Sequence, residues 1–185
     1  MPSSASFSVD PLIPLTLLEA VRDVDRPEGE AEAEYVPELL NKRLGTHDTV
    51  YAQIRRYGEA LKRGQQIDVA EVSALARLIG RRPDAAEVFR SAGFSMARTA
   101  YERIPGYVRG MIRLLPNFVA RPLARRRARK IVGRYFGASL ERYGSALRMR
   151  LPDQRAIVTE SKTPETGTAY YDAGLQELLT LLSLS

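Results

Sequence analysis

The sequence predicts a helix-dominated α/β chain of the α+β kind, with helices packed on a small antiparallel sheet and a C-terminal helix closing the fold. Three observations predict it. Apolar residues recur at spacings of three and four through successive stretches between residues 48 and 104, the signature of helices with one buried face. The period falls to two at Leu147, Met149 and Leu151, which alternate with Arg148 and Arg150. The last stretch, AYYDAGLQELLTLL, returns to the helical spacing.

The 185 residues suit one core with an extension, read as an arm over residues 1–40 and a single helical α+β domain over 41–185. Hydrophobic residues at 44% and charged residues at 27% are ordinary for a folded soluble chain. Cysteine is absent, which removes disulfides, thiolate catalysis and cysteine-bearing metal sites. The first 20 residues lack a basic leader with an unbroken apolar run, and no window is apolar enough to span a bilayer. Cytoplasmic residence is the expectation, extended to a peripheral place on the inner face of a membrane.

Taken in order, residues 12–21 carry Leu12, Ile13, Leu15, Leu17 and Leu18, one short helix within the arm. DVDRPEGEAEAE follows as an acidic linker, since like charges with Gly and Pro gain little by burial. From Asp48, Val50, Ile54, Tyr57 and Leu61 share a helical face that Gly64 ends. Asp68 and Glu71 form a capping box ahead of Val72, Leu75 and Ile79. Asp84 and Glu87 repeat that box ahead of a stripe of Val88, Ala92, Met96, Ala100 and Ile104. Gly93 lies within the stripe, where a glycine marks the close approach of another element. Pro105, Pro116 and Pro122 then cut out one helix over 106–115 and another over 122–136. A hairpin is expected over 145–161, turning at Pro152-Asp153-Gln154, and the final helix over 169–184 turns Tyr171, Gly174, Leu175, Leu178 and Leu182 inward.

Charge is polarised along this order. Residues 97–155 hold 15 lysines and arginines against three acids, a net +12 in a chain whose total is +6. The densest part is Arg121, Arg125, Arg126, Arg127, Arg129, Lys130 and Arg134. Three readings stand for it: a solvated helix face, a nucleic-acid surface, or an anionic lipid surface. The interleaved Leu114, Leu115, Phe118, Val119 and Leu123 tilt the last two toward the membrane, and the 48–80 helices lack base-reading side chains. The single histidine, His47, sits with Thr46 and Asp48 as helix-cap candidates, and no phosphate-loop, metal-ligand or nucleophile motif accompanies it. A non-enzymatic protein is the expectation, and nothing in the chain specifies a cofactor.

Two pieces carry a resemblance: Ala92-Gly93-Phe94-Ser95-Met96-Ala97-Arg98 and Tyr170-Tyr171-Asp172-Ala173-Gly174-Leu175. With the order of segments between them, the last 100 or so residues resemble the vinyl-reductase-type domain shared by small ligand-binding bacterial proteins and by the small TRAPP subunits of vesicle tethering. The resemblance implies an α/β domain, commonly dimeric, with an apolar ligand channel and no catalysis of its own. Members often carry a cysteine at the start of the closing helix, where this chain has Ala169 and Tyr170, so no thiol attachment transfers. The expected function is therefore binding of an apolar small molecule, or service as an assembly subunit in a homodimer or with a protein partner. Phe89, Gly93, Phe94, Met96, Tyr101, Tyr171, Gly174 and Leu175 are the candidate lining, with the 145–161 hairpin as one wall. The alternative is a peripheral anionic-surface binder working through residues 121–134.

Overall fold

LIPLTLL is apolar on every side, and a helix with no polar face has to be enclosed. In the computed structural model it becomes α1 (Leu12–Val24), just after a two-residue strand, β1 (Ser8–Val9). The structure describes residues 8–25, 37–144, 146–152, 157 and 164–184, without the side chains of 37–48, 117, 164 and 165. Leu12, Ile13, Leu17, Leu18 and Val21 are all buried, so α1 is a wall of the core and the expected arm is corrected over these residues. Asp10 sets its start, with Oδ1 accepting from the Leu12 amide at 3.1 Å. The acidic linker lies outside the described residues.

The second helix, α2 (Pro37–Lys62), begins well before Asp48. The backbone at Thr46, His47 and Asp48 therefore lies within a helix rather than at its start. Tyr57 is buried, Val50, Ile54 and Leu61 pack beside it, and the chain leaves through Gly64 at φ +65 with Gln65 N–H on the Ala60 carbonyl. Next, β2 (Ile67–Asp68) pairs antiparallel with β1. Asp68 caps α3 (Val69–Gly80) by accepting from the Ala70 amide at 2.8 Å, as expected. Glu71 does a different job from the one predicted: its carboxylate takes Arg56 at 2.7 Å and the Tyr57 hydroxyl at 2.5 Å, tying α3 to α2.

Between α3 and α4 (Ala85–Glu102), Asp84 makes no side-chain cap. It is held by Arg82, whose Nε and Nη2 reach its two oxygens at 2.8 Å each while Nη1 reaches Asp25 at 3.0 Å. One guanidinium thus joins the end of α1 to the start of α4. The hydrogen bonds from Arg82 hold the Asp84 carboxyl below its ordinary value of 3.8. Because that value is depressed, the stabilisation is present above pH 3.8 and is lost as pH falls through the lower folded value. Arg82→Gln is expected to lower neutral-pH stability by about 1 kcal/mol, the pair being partly exposed. Denaturant melts at stepped pH should show the gap to wild type closing below pH 3.8; a gap independent of pH would refute the linkage.

The stripe predicted for α4 is buried throughout: Val88, Ala92, Met96, Ala100 and Ile104. Its partner is α7 (Pro164–Leu181), and these two helices form the most extensive contact of the fold. A Cβ on Gly93 would collide with the Tyr170 carbonyl oxygen and lie 3.1 Å from the Gly174 nitrogen. A Cβ on Gly174 would collide with the Phe136 ring and lie 3.3 Å from the Gly93 oxygen. The backbones cross where both side chains are missing.

Residues 106–136 depart from the predicted boundaries. α5 (Gly106–Leu114) is as expected, but α6 (Asn117–Ile131) starts ahead of Pro122, which lies inside it and faces solvent. Val132–Phe136 then forms a π-helical turn, ended by Gly137 at φ +60. The hairpin is also shifted: β3 (Ser139–Tyr143) pairs with β4 (Ala146–Arg150), Leu140 opposite Met149 and Tyr143 opposite Ala146. Its two-residue turn uses Gly144 at φ +61, a pairing the sequence reading did not foresee; the turn expected at 152–154 lies, but for Pro152, outside the described residues. Of the second strand expected after residue 154, only Ile157 is among the described residues, and it is buried. Seven helices and two two-stranded antiparallel sheets make the described fold helix-dominated, closed by α7.

Candidate anionic-surface site

On α5, two apolar stripes compete. Val108 and Ile112 are one turn apart and buried; Tyr107, Met111 and Leu114 follow at i, i+4 and i+7 on a neighbouring face and stay in solvent. The chain turns through Leu115 and Pro116 into α6, whose first turn exposes Phe118 and Val119. Leu114 is 87% exposed, Phe118 79% and Tyr107 73%, a concentration that a folded surface does not need for its own stability. The two helices pack on each other around this two-residue turn, an α5–α6 hairpin with an apolar end.

The inward face of α6 is Ala120, Ala124, Ala128 and Ile131, at spacings of four, four and three. Small side chains fill this buried face, and the long ones point largely outward. Arg121, Arg126, Arg129 and Lys130 are exposed, Arg125 and Arg127 half-buried, and Arg134 exposed in the π turn. Arg134 meets Asp10 at 3.4 Å and lies 5.3 Å from the centre of the Tyr135 ring. The other six hold no carboxylate among the described residues, whereas Arg22, Arg56, Arg82 and Arg98 each do. A row of cations without carboxylate partners among the described residues runs along α6 from the apolar end, and the hairpin of strands adds Arg142 and Arg148, with Arg150 held by Glu141 at 3.7 Å.

The seven cations singled out from sequence are thus together on one element and its continuation. Sequence reasoning also found Leu114, Phe118 and Val119 and counted Arg103, Arg109 and Arg113 in the basic region, but it missed Tyr107 and Met111. The signal for Tyr107 and Met111 was present in their four-residue spacing, hidden by the equally spaced Val108 and Ile112.

The candidate ligand lining is placed differently. Phe89, Gly93, Met96, Tyr101, Tyr171 and Gly174 are buried, and Phe94 and Leu175 half-buried. Over Gly93 stands the α7 backbone, and over Gly174 the Phe136 ring, so both glycines serve a helix crossing. Phe136, Tyr170 and Tyr171 stack around it with centroids 5.5, 6.5 and 5.3 Å apart. Burial pushes the Tyr170 hydroxyl well above its ordinary range, so it stays neutral. Tyr143 is 72% exposed on the hairpin tip under Arg148.

Among the described residues no group of three His, Asp or Glu is placed to hold a metal ion, and no helix is long and apolar enough to cross a membrane. No protein-family model, curated protein or solved structure matches this chain.

Proposed function

We propose that this protein is a peripheral binder of anionic membrane surfaces, docking through the α5–α6 hairpin. The observation that carries it is the juxtaposition of Leu114, Phe118 and Tyr107, largely in water, with Arg121, Arg125, Arg126, Arg127, Arg129 and Lys130, which hold no carboxylate among the described residues. Each Lys or Arg near an anionic bilayer contributes about 1 kcal/mol, and each large apolar side chain taken out of water about 1.5–3 kcal/mol. Neither alone holds a protein firmly; together they do. Long arginine side chains can keep their charge among headgroups while the apolar end enters the acyl boundary. A nucleic acid would use the cations but leave the apolar end in water. The glycine crossing draws support away from an apolar small-molecule site, and service as an assembly subunit stays as the competing use of the exposed end.

Co-sedimentation with vesicles tests this. Wild type is expected to bind phosphatidylserine vesicles in a salt-sensitive way and neutral phosphatidylcholine vesicles weakly. Leu114→Glu with Phe118→Glu should lower that binding by more than about tenfold with an unchanged melting temperature, since both residues are exposed. Equal binding by the double variant would sink the membrane reading. If the variant instead converts a dimer to a monomer in native mass spectrometry while vesicle binding is unaltered, the exposed end belongs to an assembly contact.

A further inference from the structure

Arg109 and Arg113 stand one helical turn apart on α5 and converge on a single aromatic ring. The Arg109 guanidinium carbon lies 5.6 Å from the centre of Tyr101, and Arg113 Nη2 donates to the Tyr101 hydroxyl at 3.5 Å. Nε of Arg109 is buried, so the stem of that side chain is packed and its terminal nitrogens are held in place. Neither residue has a carboxylate partner among the described residues. Arg103, two residues beyond Tyr101, donates to the Tyr135 hydroxyl at 3.4 Å and likewise lacks an acid. Two like charges drawn to one ring, with no acid between them, leave the place of an anion open.

We propose that Arg109 and Arg113, seated on Tyr101, form a subsite for the phosphomonoester headgroup of a membrane lipid. This rests on the hairpin docking to a membrane and names what it selects there. A guanidinium presents paired N–H donors that match phosphate oxygens two at a time, and a monoester carries more charge near neutral pH than a diester. Tyr107, Met111 and Leu114 flank the buried Val108 and Ile112 on one side of this short helix and the two arginines flank them on the other, so a membrane that takes up the stripe also brings its headgroups to the element that carries both arginines. That shared element favours a lipid over a water-soluble phosphate.

The test compares vesicles containing phosphatidate with vesicles containing phosphatidylserine at equal surface charge. Wild type should prefer phosphatidate by about tenfold, and Arg109→Lys with Arg113→Lys, which keeps both charges, should retain phosphatidylserine binding while the preference falls to about one. An unchanged preference in the lysine variant, or none in wild type, overturns the subsite and leaves membrane docking standing. Binding to no anionic vesicle removes both proposals. Saturation by glycerol phosphate at micromolar concentration, with no vesicle preference, would assign the subsite to a soluble phosphate and overturn the lipid.

Discussion

Gly93→Ala should lower the stability of this protein by about 2–3 kcal/mol, seen as a melting temperature lower by about 5–10 °C. An alanine in a helix ordinarily gains about 1 kcal/mol over glycine, so the sign itself is informative. The new methyl would meet the Tyr170 carbonyl of α7, and backbone cannot rotate aside as a side chain can. The largest helix contact of the fold would have to open. Gly174→Ala meets the Phe136 ring instead, so shortening that ring with Phe136→Leu should recover part of the loss. A coupling of about 1 kcal/mol is expected between positions 174 and 136, and none between 93 and 136. Wild-type melting of the Gly93→Ala variant would show that α4 and α7 do not need their close crossing.

The second large effect concerns α1. Leu17 is fully buried, and Leu17→Ala should cost about 2–5 kcal/mol, the range for a leucine removed from a packed core. A chain starting at residue 37 should lose its cooperative melt altogether, because the faces of α2 and α4 that α1 covers would be left in water. An arm loosely attached to a finished domain would predict the opposite. A truncated chain that melts cooperatively near the wild-type temperature would therefore restore the arm and refute the buried wall.

Why that helix was misread follows from its neighbours in the chain. Its apolar run was visible, but Pro11 ahead of it, Pro14 within it and the acidic run after it resemble the marks of an extension. Both prolines fall at the start of α1, where a missing amide costs nothing. By contrast, α4 was legible residue by residue, since a four-residue stripe ending in a proline admits few alternatives, and Gly93 within it announced a close contact. The start of α6 was misplaced because Pro122 was read as a helix opening. Its solvent position lets water take the carbonyl that the proline leaves without a donor. For the strands, Leu147 and Met149 gave the period but not the partner that pairs with them before Gly144. At the surface the cations were plain in the sequence, while the exposed stripe of α5 could be separated from the buried one only once the core had chosen between two faces of equal spacing.

The alanines that seat α6 have a consequence for motion. A helix whose inward face is three alanines and Ile131, where α4 offers valine, phenylalanine and methionine, withdraws less hydrocarbon from water when it closes and returns less when it opens. The α6 side of the hairpin can therefore lift at a lower free-energy cost than the α1–α4–α7 stack can open. A surface that pulls on Leu114 and Phe118 would act on a lever already loosely fastened at its other side.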